Sequence, residues 1–254
     1  LNKNKIKFYT RLQLKKNRDT EQLYLAEGIK IVNEAISYNP GSIRDIICTE
    51  EAAKSIYEFS KEKITIADYK SIKKISTLKT PQNVIAVIET RQNRPPRQIT
   101  DIAIALESVR DPGNMGTIIR LADWFGVKDI ICSPDCVDCY NPKVVQSTMG
   151  AILRVNISYI PLKKYFQSIK DTDIDIYGTS LNGEDLYKTK LKVPTIIIMG
   201  NESKGISREL DKYISGKILI PNFSRNKEKT ESLNVSTATA IVLAEFRRSL
   251  SYSK

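Results

Sequence analysis

From residue 102 onward, short apolar strands take turns with helices, and that alternation limits the chain to few architectures. The pattern predicts strands at 102–107, 129–132, 174–178, 195–199 and 217–220, and helices at 115–125, 206–214 and 233–249. Apolar strands separated by helices argue for a parallel sheet covered on both faces. Ahead of this lies a smaller αβ unit. A helical pattern begins at Tyr24 (Leu25, Ile29, Val32, Ala35, Ile36), with Asn39-Pro40-Gly41 as its stop. Strands are expected at 45–48, 63–67 and 83–89, with helix at 50–61. The stretch RQNRPPRQ is Pro-rich, basic and without apolar period, so it reads as a linker. The expected division is 1–91 for the small domain with its basic arm, 92–98 for the linker and 99–254 for the larger domain.

With 40 Lys and Arg against 29 acidic residues, the net charge is +11, which favours a polyanionic partner such as RNA. Residues 1–18 hold seven Lys or Arg and no acid, as a basic arm or first helix would. No apolar run reaches the length of a membrane span and no signal-peptide pattern opens the sequence, so a cytoplasmic protein is expected. Histidine is absent. Imidazole acid–base chemistry, Ser-His-Asp triads and His-ligated metals are thereby excluded, and catalysis must use carboxylates, Lys, Arg, Tyr, thiols or amides.

Three segments could carry chemistry. In ESVRDPGNMGTIIRLADWFG, a strand end turns at Asp111-Pro112-Gly113-Asn114, and Asn114 is expected to cap the helix that stops at Gly126. Arg120 lies two turns in, among Ile118, Ile119, Leu121 and Ala122. A guanidinium there must meet a carboxylate, with Asp123 and Glu107 the local candidates, or a phosphate. In TIIIMGNESKGIS, a buried strand enters a Gly-rich turn. Gly200 and Gly205 are spaced as in a phosphate loop, but Ile206-Ser207 stands where Lys-Ser/Thr is required. The third, Cys132-x3-Cys136-x2-Cys139, has the spacing of a radical iron–sulfur enzyme. It lacks the aromatic residue before the last cysteine, and free thiols of a reducing compartment are the default reading.

Taken in order, DPGNMGTIIRLADWFG, YNPKVVQSTMGAILRV, MGNESKGIS and IPNF…ESLNVSTATAIVLAEF resemble the SpoU/TrmH class of SPOUT methyltransferases. Residues 20–90, with Leu25-Ala26-Glu27-Gly28 and Lys79-Thr80-Pro81-Gln82, are similar to the small RNA-binding domain that precedes many members. The resemblance implies an α/β fold: a parallel sheet with a deep C-terminal trefoil knot, against the rule that chains do not thread, after an αβ sandwich. It implies S-adenosylmethionine-dependent methylation of a ribose 2′-hydroxyl in structured RNA, ribosomal ahead of transfer RNA. It also implies a homodimer packed through the knot, in which one pocket can borrow its arginine from the other subunit.

The cofactor would sit among three loops, at Thr179 and Leu181, at Gly200, and from Ile220 to Leu233. Gly200, Ile220 and Leu233 match positions that hold adenosine through backbone groups, which suits Gly200, where a side chain would collide. Asn114, Arg120, Glu202, Ser232 and Asn234 fall on the family's functional positions. Arg120 is the implied activator and Asn114, Ser232 and Asn234 its orienting groups, while Glu202 holds the knot loops. One departure is a longer, charged stretch before Leu233 (Arg225, Lys227, Glu228, Lys229, Glu231). The rival readings are an RNA-binding protein of the same fold without catalysis, and the radical iron–sulfur enzyme.

Overall fold

The computed structural model describes residues 1–201, 203–224 and 232–252, and they fold as two compact units. The first comprises Leu1–Gln92 and Asp138–Arg154, the second Asn93–Val137 and Val155–Lys254.

In the first unit, α1 (Lys3–Arg11) and α2 (Lys15–Glu21) lead into β1 (Leu23–Glu27), α3 (Ile29–Tyr38), β2 (Ile43–Cys48), α4 (Glu50–Ala53), β3 (Ile64–Ile66), α5 (Tyr69–Ile75) and β4 (Val84–Glu89). The sheet order is β1-β4-β2-β3, antiparallel except for the β2–β3 pair. One core cluster brings Tyr9 and Leu12 together with Leu23, Leu25, Ile47, Ile72, Ile75 and Ile85. The basic amino-terminal segment is thus two helices rather than an arm. Two expectations need correction. The segment from Tyr24 is a strand before it is a helix: every residue of β1 is buried, so it shows no alternation, and Gly28 at φ +113° separates it from α3. The helix expected at 50–61 stops at Ala53.

In the second unit, β5 (Ile102–Leu106), α6 (Pro112–Trp124) and β6 (Asp129–Cys132) come first. After an excursion that includes α7 (Pro142–Ser147), the unit resumes with β7 (Asn156–Tyr159), α8 (Leu162–Ser168), β8 (Asp175–Asp185), β9 (Thr195–Met199), β10 (Gly216–Leu219) and α9 (Val235–Tyr252). The six strands form one sheet, in the order β10-β8-β9-β5-β6-β7, and every neighbouring pair is parallel. The strand β7 was not expected; it is four residues long and only partly buried. The stretch 206–214 makes a short 3-10 helix (Arg208–Tyr213) in place of the α-helix expected. Arg247 secures α9, giving Asp101 both Nη atoms at 3.0 and 2.8 Å and donating from Nε to the Phe125 carbonyl at 2.8 Å.

Asp138–Arg154 packs into the first unit although it is flanked on both sides by the second. Its anchor is an ion pair: Arg18, 3% exposed, gives Nη2 to Asp138 Oδ2 at 2.6 Å and Nε to the same oxygen at 3.2 Å. Arg18 also donates to the carbonyls of Leu12 and Gln13, and Tyr24 stacks on Tyr140 with ring centroids 4.7 Å apart. A buried guanidinium left without its carboxylate is costly. Asp138→Ala is expected to lower stability by about 3 kcal/mol in urea unfolding, the low end of the range for broken buried pairs because two carbonyl partners remain. A loss below about 1 kcal/mol would mean that the pair does not anchor the segment.

Candidate active site

In a parallel sheet, the loops beyond the strand carboxyl ends make the natural binding crevice. Here an interruption in one ladder opens it. Strand β10 pairs with β8 as Gly216 with Tyr177 and Lys217 with Gly178, then resumes as Ile218 with Glu184 and Leu219 with Asp185. Residues 179–183 are ejected between the two paired stretches. Gly183 permits the close return, since a Cβ there would lie 2.6 Å from the Ile218 backbone. The ejected segment forms one wall of a cavity of about 690 Å³. The exits of β9 and β10 and the entry to α9 form the others.

Thr179, Leu181, Gly200, Ile220 and Leu233, the five residues expected to touch a cofactor, all line this cavity, and so does Ser232. Val235, Ala238 and Val242 present one face of α9 to it. At Gly200 a side chain would collide within the chain itself. A Cβ would fall 2.4 Å from the Gly205 carbonyl carbon and 2.6 Å from the Ile206 nitrogen, so the collision is with the loop's own backbone. Asn201 and Gly205 exchange backbone hydrogen bonds across this turn, and Gly205 sits at φ +66°. The Asn201 side chain accepts from the amides of Ser203 and Lys204 and donates to the Ser108 carbonyl at 3.0 Å. Glu107 accepts from the Ser207 amide at 2.8 Å. Glu202 and the charged residues Arg225, Lys227, Glu228, Lys229 and Glu231 lie outside the described residues.

The cap of α6 is Asp111, not Asn114: its carboxylate accepts from the Asn114 amide at 2.8 Å. Pro112, with its fixed φ and no N–H, suits the first helical position, so the helix starts earlier than expected. Asn114 is therefore inside the first turn, and its side-chain oxygen accepts from Asn234 Nδ2 at 2.8 Å and from Ser236 Oγ at 3.4 Å. Asn234 also caps α9, its Oδ1 accepting from the Ser236 amide at 2.9 Å, the Ser236 hydroxyl at 2.6 Å and the Thr237 amide at 3.3 Å. Ser236 and Asn201 join the site without having been among its expected residues. The signal for Ser236 was Asn-x-Ser at the opening of a helix.

Arg120 stands apart from this cluster. It is exposed, lines no part of the cavity, and makes no hydrogen bond or ion pair among the described residues. Neither Glu107 nor Asp123 takes it. Trp124, one turn on along the same face, is 83% exposed.

A second polar cluster braces the loops after β5 and β6. Asp135 accepts from the hydroxyls of Ser108 and Ser133, both at 2.6 Å, and from Arg110 at 3.0 Å. Ser108 lies at φ +56° and donates its amide to Ser133 Oγ. The two hydroxyl donors, with Arg110 behind them, hold the Asp135 carboxyl down to about 2. The cysteines form no metal-ligand set among the described residues. Cys132, Cys136 and Cys139 are all buried and none is in a disulfide.

Two family models match. One, described as the SpoU rRNA Methylase family, covers residues 101–244, and the other, the MRM3-like substrate binding domain, covers residues 3–86. The chain is 27% identical over 245 residues to the 23S rRNA (guanosine(2553)-2′-O)-methyltransferase RlmP of Bacillus subtilis, covering 96% of each. It is 28% identical to the 23S rRNA (guanosine-2′-O-)-methyltransferase RlmB of Neisseria meningitidis, over 87% of this chain and 93% of that one. Among solved structures, a TrmH-family protein from Porphyromonas gingivalis superposes with a TM-score of 0.89 at 33% identity, covering 98% of both chains. An AdoMet-bound rRNA methyltransferase from Sinorhizobium meliloti gives 0.84 at 29%, over 98% of this chain and 95% of that one.

The Asp135 cluster has a pH signature. A carboxyl held below its unfolded value stabilises the fold above about pH 4, and the contribution disappears as pH falls towards 2. The stability advantage of the wild type over Asp135→Asn should be level from pH 7 to 5 and shrink below about pH 4. Urea midpoints across that range would show it, and a pH-independent gap would contradict the assignment.

Proposed function

The chain belongs to the SpoU rRNA Methylase family, and we propose that it methylates a ribose 2′-hydroxyl of structured RNA with S-adenosylmethionine as donor. Membership carries the class of reaction. The single observation that carries the site is that every residue expected at the cofactor lines one cavity at the carboxyl ends of β8, β9 and β10. That cavity fits the group. Its apolar walls, Leu181, Ile220, Leu233 and Val235 among them, suit an adenine ring, and its loop backbones offer donors and acceptors to the polar ends. Bound there, the cofactor supplies a methyl group made electrophilic by a positively charged sulfur.

What the chain supplies is stabilisation of a poor nucleophile. A ribose hydroxyl must shed its proton as it attacks, and Arg120 answers that need as a fixed cation. A guanidinium does not deprotonate in proteins, so Arg120 grips a neighbouring phosphate and stabilises the developing alkoxide while the proton leaves to water. Asn114, Ser232 and Asn234 orient the ribose at the rim. We read the protein as a homodimer in which Arg120 of one copy completes the cavity of the other. In support, Arg120 is exposed and does not line its own chain's cavity, and the exposed Trp124 beside it is an apolar surface suited to burial between subunits. The return of α9 from β10 at the sheet edge to α6, held by Asn234 and Arg247, supports a trefoil knot.

The named relatives RlmP and RlmB favour large-subunit ribosomal RNA as substrate, and their activity favours the cytoplasm. No helix among the described residues is long and apolar enough to cross a membrane.

The test is transfer of labelled methyl from S-adenosylmethionine to unmodified total RNA, followed by digestion to locate the label. Wild type should label ribose. Arg120→Ala should lower the rate by at least about 100-fold, as loss of a transition-state donor does, with cofactor affinity unchanged. Labelled bases, or an unimpaired variant, would refute the assignment. Gly200→Ala has the opposite signature: the collision at 2.4 Å displaces the loop, so cofactor binding by calorimetry should be lost while the protein stays folded. Retained binding would show that the 200–205 turn does not shape the site.

A further inference from the structure

We propose that the amino-terminal unit carries a stacking site for one unpaired RNA base, formed by Tyr38 and Tyr57 at a concavity beside α3; this rests on the reading that the substrate is RNA. The concavity, about 450 Å³, is lined by Lys30, Asn33, Glu34, Tyr38, Tyr57 and Arg154. Both tyrosines are exposed, Tyr38 by 51% and Tyr57 by 58%, and neither hydroxyl is engaged among the described residues. Two half-exposed tyrosines lining one hollow offer ring surface that a planar ligand can cover.

The site is braced rather than loose. Asn33 on α3 donates to the Ser55 carbonyl at 2.9 Å and accepts from the Tyr57 amide at 3.0 Å, which pins the turn that presents Tyr57. Arg91 lies 5.8 Å from the centre of the Tyr38 ring. Arg154 is held by Glu34 at 2.9 Å. Lys30 is exposed and has no ion pair among the described residues, leaving it available to a phosphate.

The chemistry selects the occupant. Exposed tyrosine faces with cations at the edge bind unstacked bases, whose ring faces are accessible and whose backbone is anionic. A duplex hides its ring faces and offers only charge. Lys30 at the rim, in a chain of net charge +11, complements a polyanion.

The experiment is an anisotropy titration of the full chain with two RNAs of equal length, a hairpin with a wide unpaired loop and a blunt duplex. Tyr38→Ala and Tyr57→Ala should each weaken hairpin binding by about 5- to 100-fold. They should leave duplex and S-adenosylmethionine binding unchanged, and the Phe variants should retain hairpin affinity. Lys30→Ala should weaken both RNAs and reduce the salt dependence by about one counterion. Alanine variants that bind the hairpin like wild type, that lose both RNAs equally, or that change oligomeric state would each overturn the stacking site. Wild-type methyl transfer separates the two failures. If it persists with intact alanine variants, only this site is wrong; if wild type neither methylates nor binds RNA, both readings fall.

Discussion

One side-chain amide holds the amino ends of two helices. The oxygen of Asn234 caps α9, and its nitrogen reaches Asn114 in the first turn of α6. A cap satisfies backbone donors that would otherwise lack partners, and the helix dipole makes both ends locally positive. Joining two such ends through an amide pair costs no buried charge. It also fixes what precedes it: Ser232 and Leu233 reach the cavity rim because the next residue is tied down. One wall of the crevice thus depends on the start of α9 as well as on the loops around it.

The larger unit was readable from its strands. Four of its six lie at or close to where apolar runs placed them; three of these, β5, β6 and β9, are inner strands of a parallel sheet, buried along most of their length and needing no alternation. The same property misled at β1, where a fully buried strand joined to an amphipathic helix imitated one long helical period. The cavity residues were legible through family resemblance, but the cause of their convergence was not. Ejection of 179–183 depends on which residues of β8 face β10, and register across a sheet is a long-range fact that no local window contains. Asn201 and Asp111 escaped for a related reason. Their side chains serve the backbone, and their types mark a turn without saying whose amide they will hold.

Charge divides the site into two kinds of surface. Among the described residues at the strand carboxyl ends, several charged groups have partners on their own chain: Glu107 holds an amide, Asp135 two hydroxyls and Arg110, and Asp211 pairs with Lys217 at the cavity wall. Such groups set geometry and offer little to a ligand. Arg120 is the contrast. In isolation its position among apolar neighbours argued for an internal carboxylate, and the fold instead turns it outward. A side chain that avoids nearby acids on its own chain is suited to meet a charge from elsewhere.

The placement of Asp138–Arg154 bears on how this protein can be divided. By sequence the natural cut falls in the basic, proline-rich stretch after residue 91, and the family models also part near there. Cutting there would strip the smaller unit of Asp138 and Tyr140, leaving Arg18 sealed in with a charge and no acid, and Tyr24 without its ring partner. The substrate-binding unit is therefore not a separable module. It is completed by a loan from the middle of the methyltransferase sequence, so a boundary drawn in the linker leaves the smaller unit without the acid that neutralises its buried arginine.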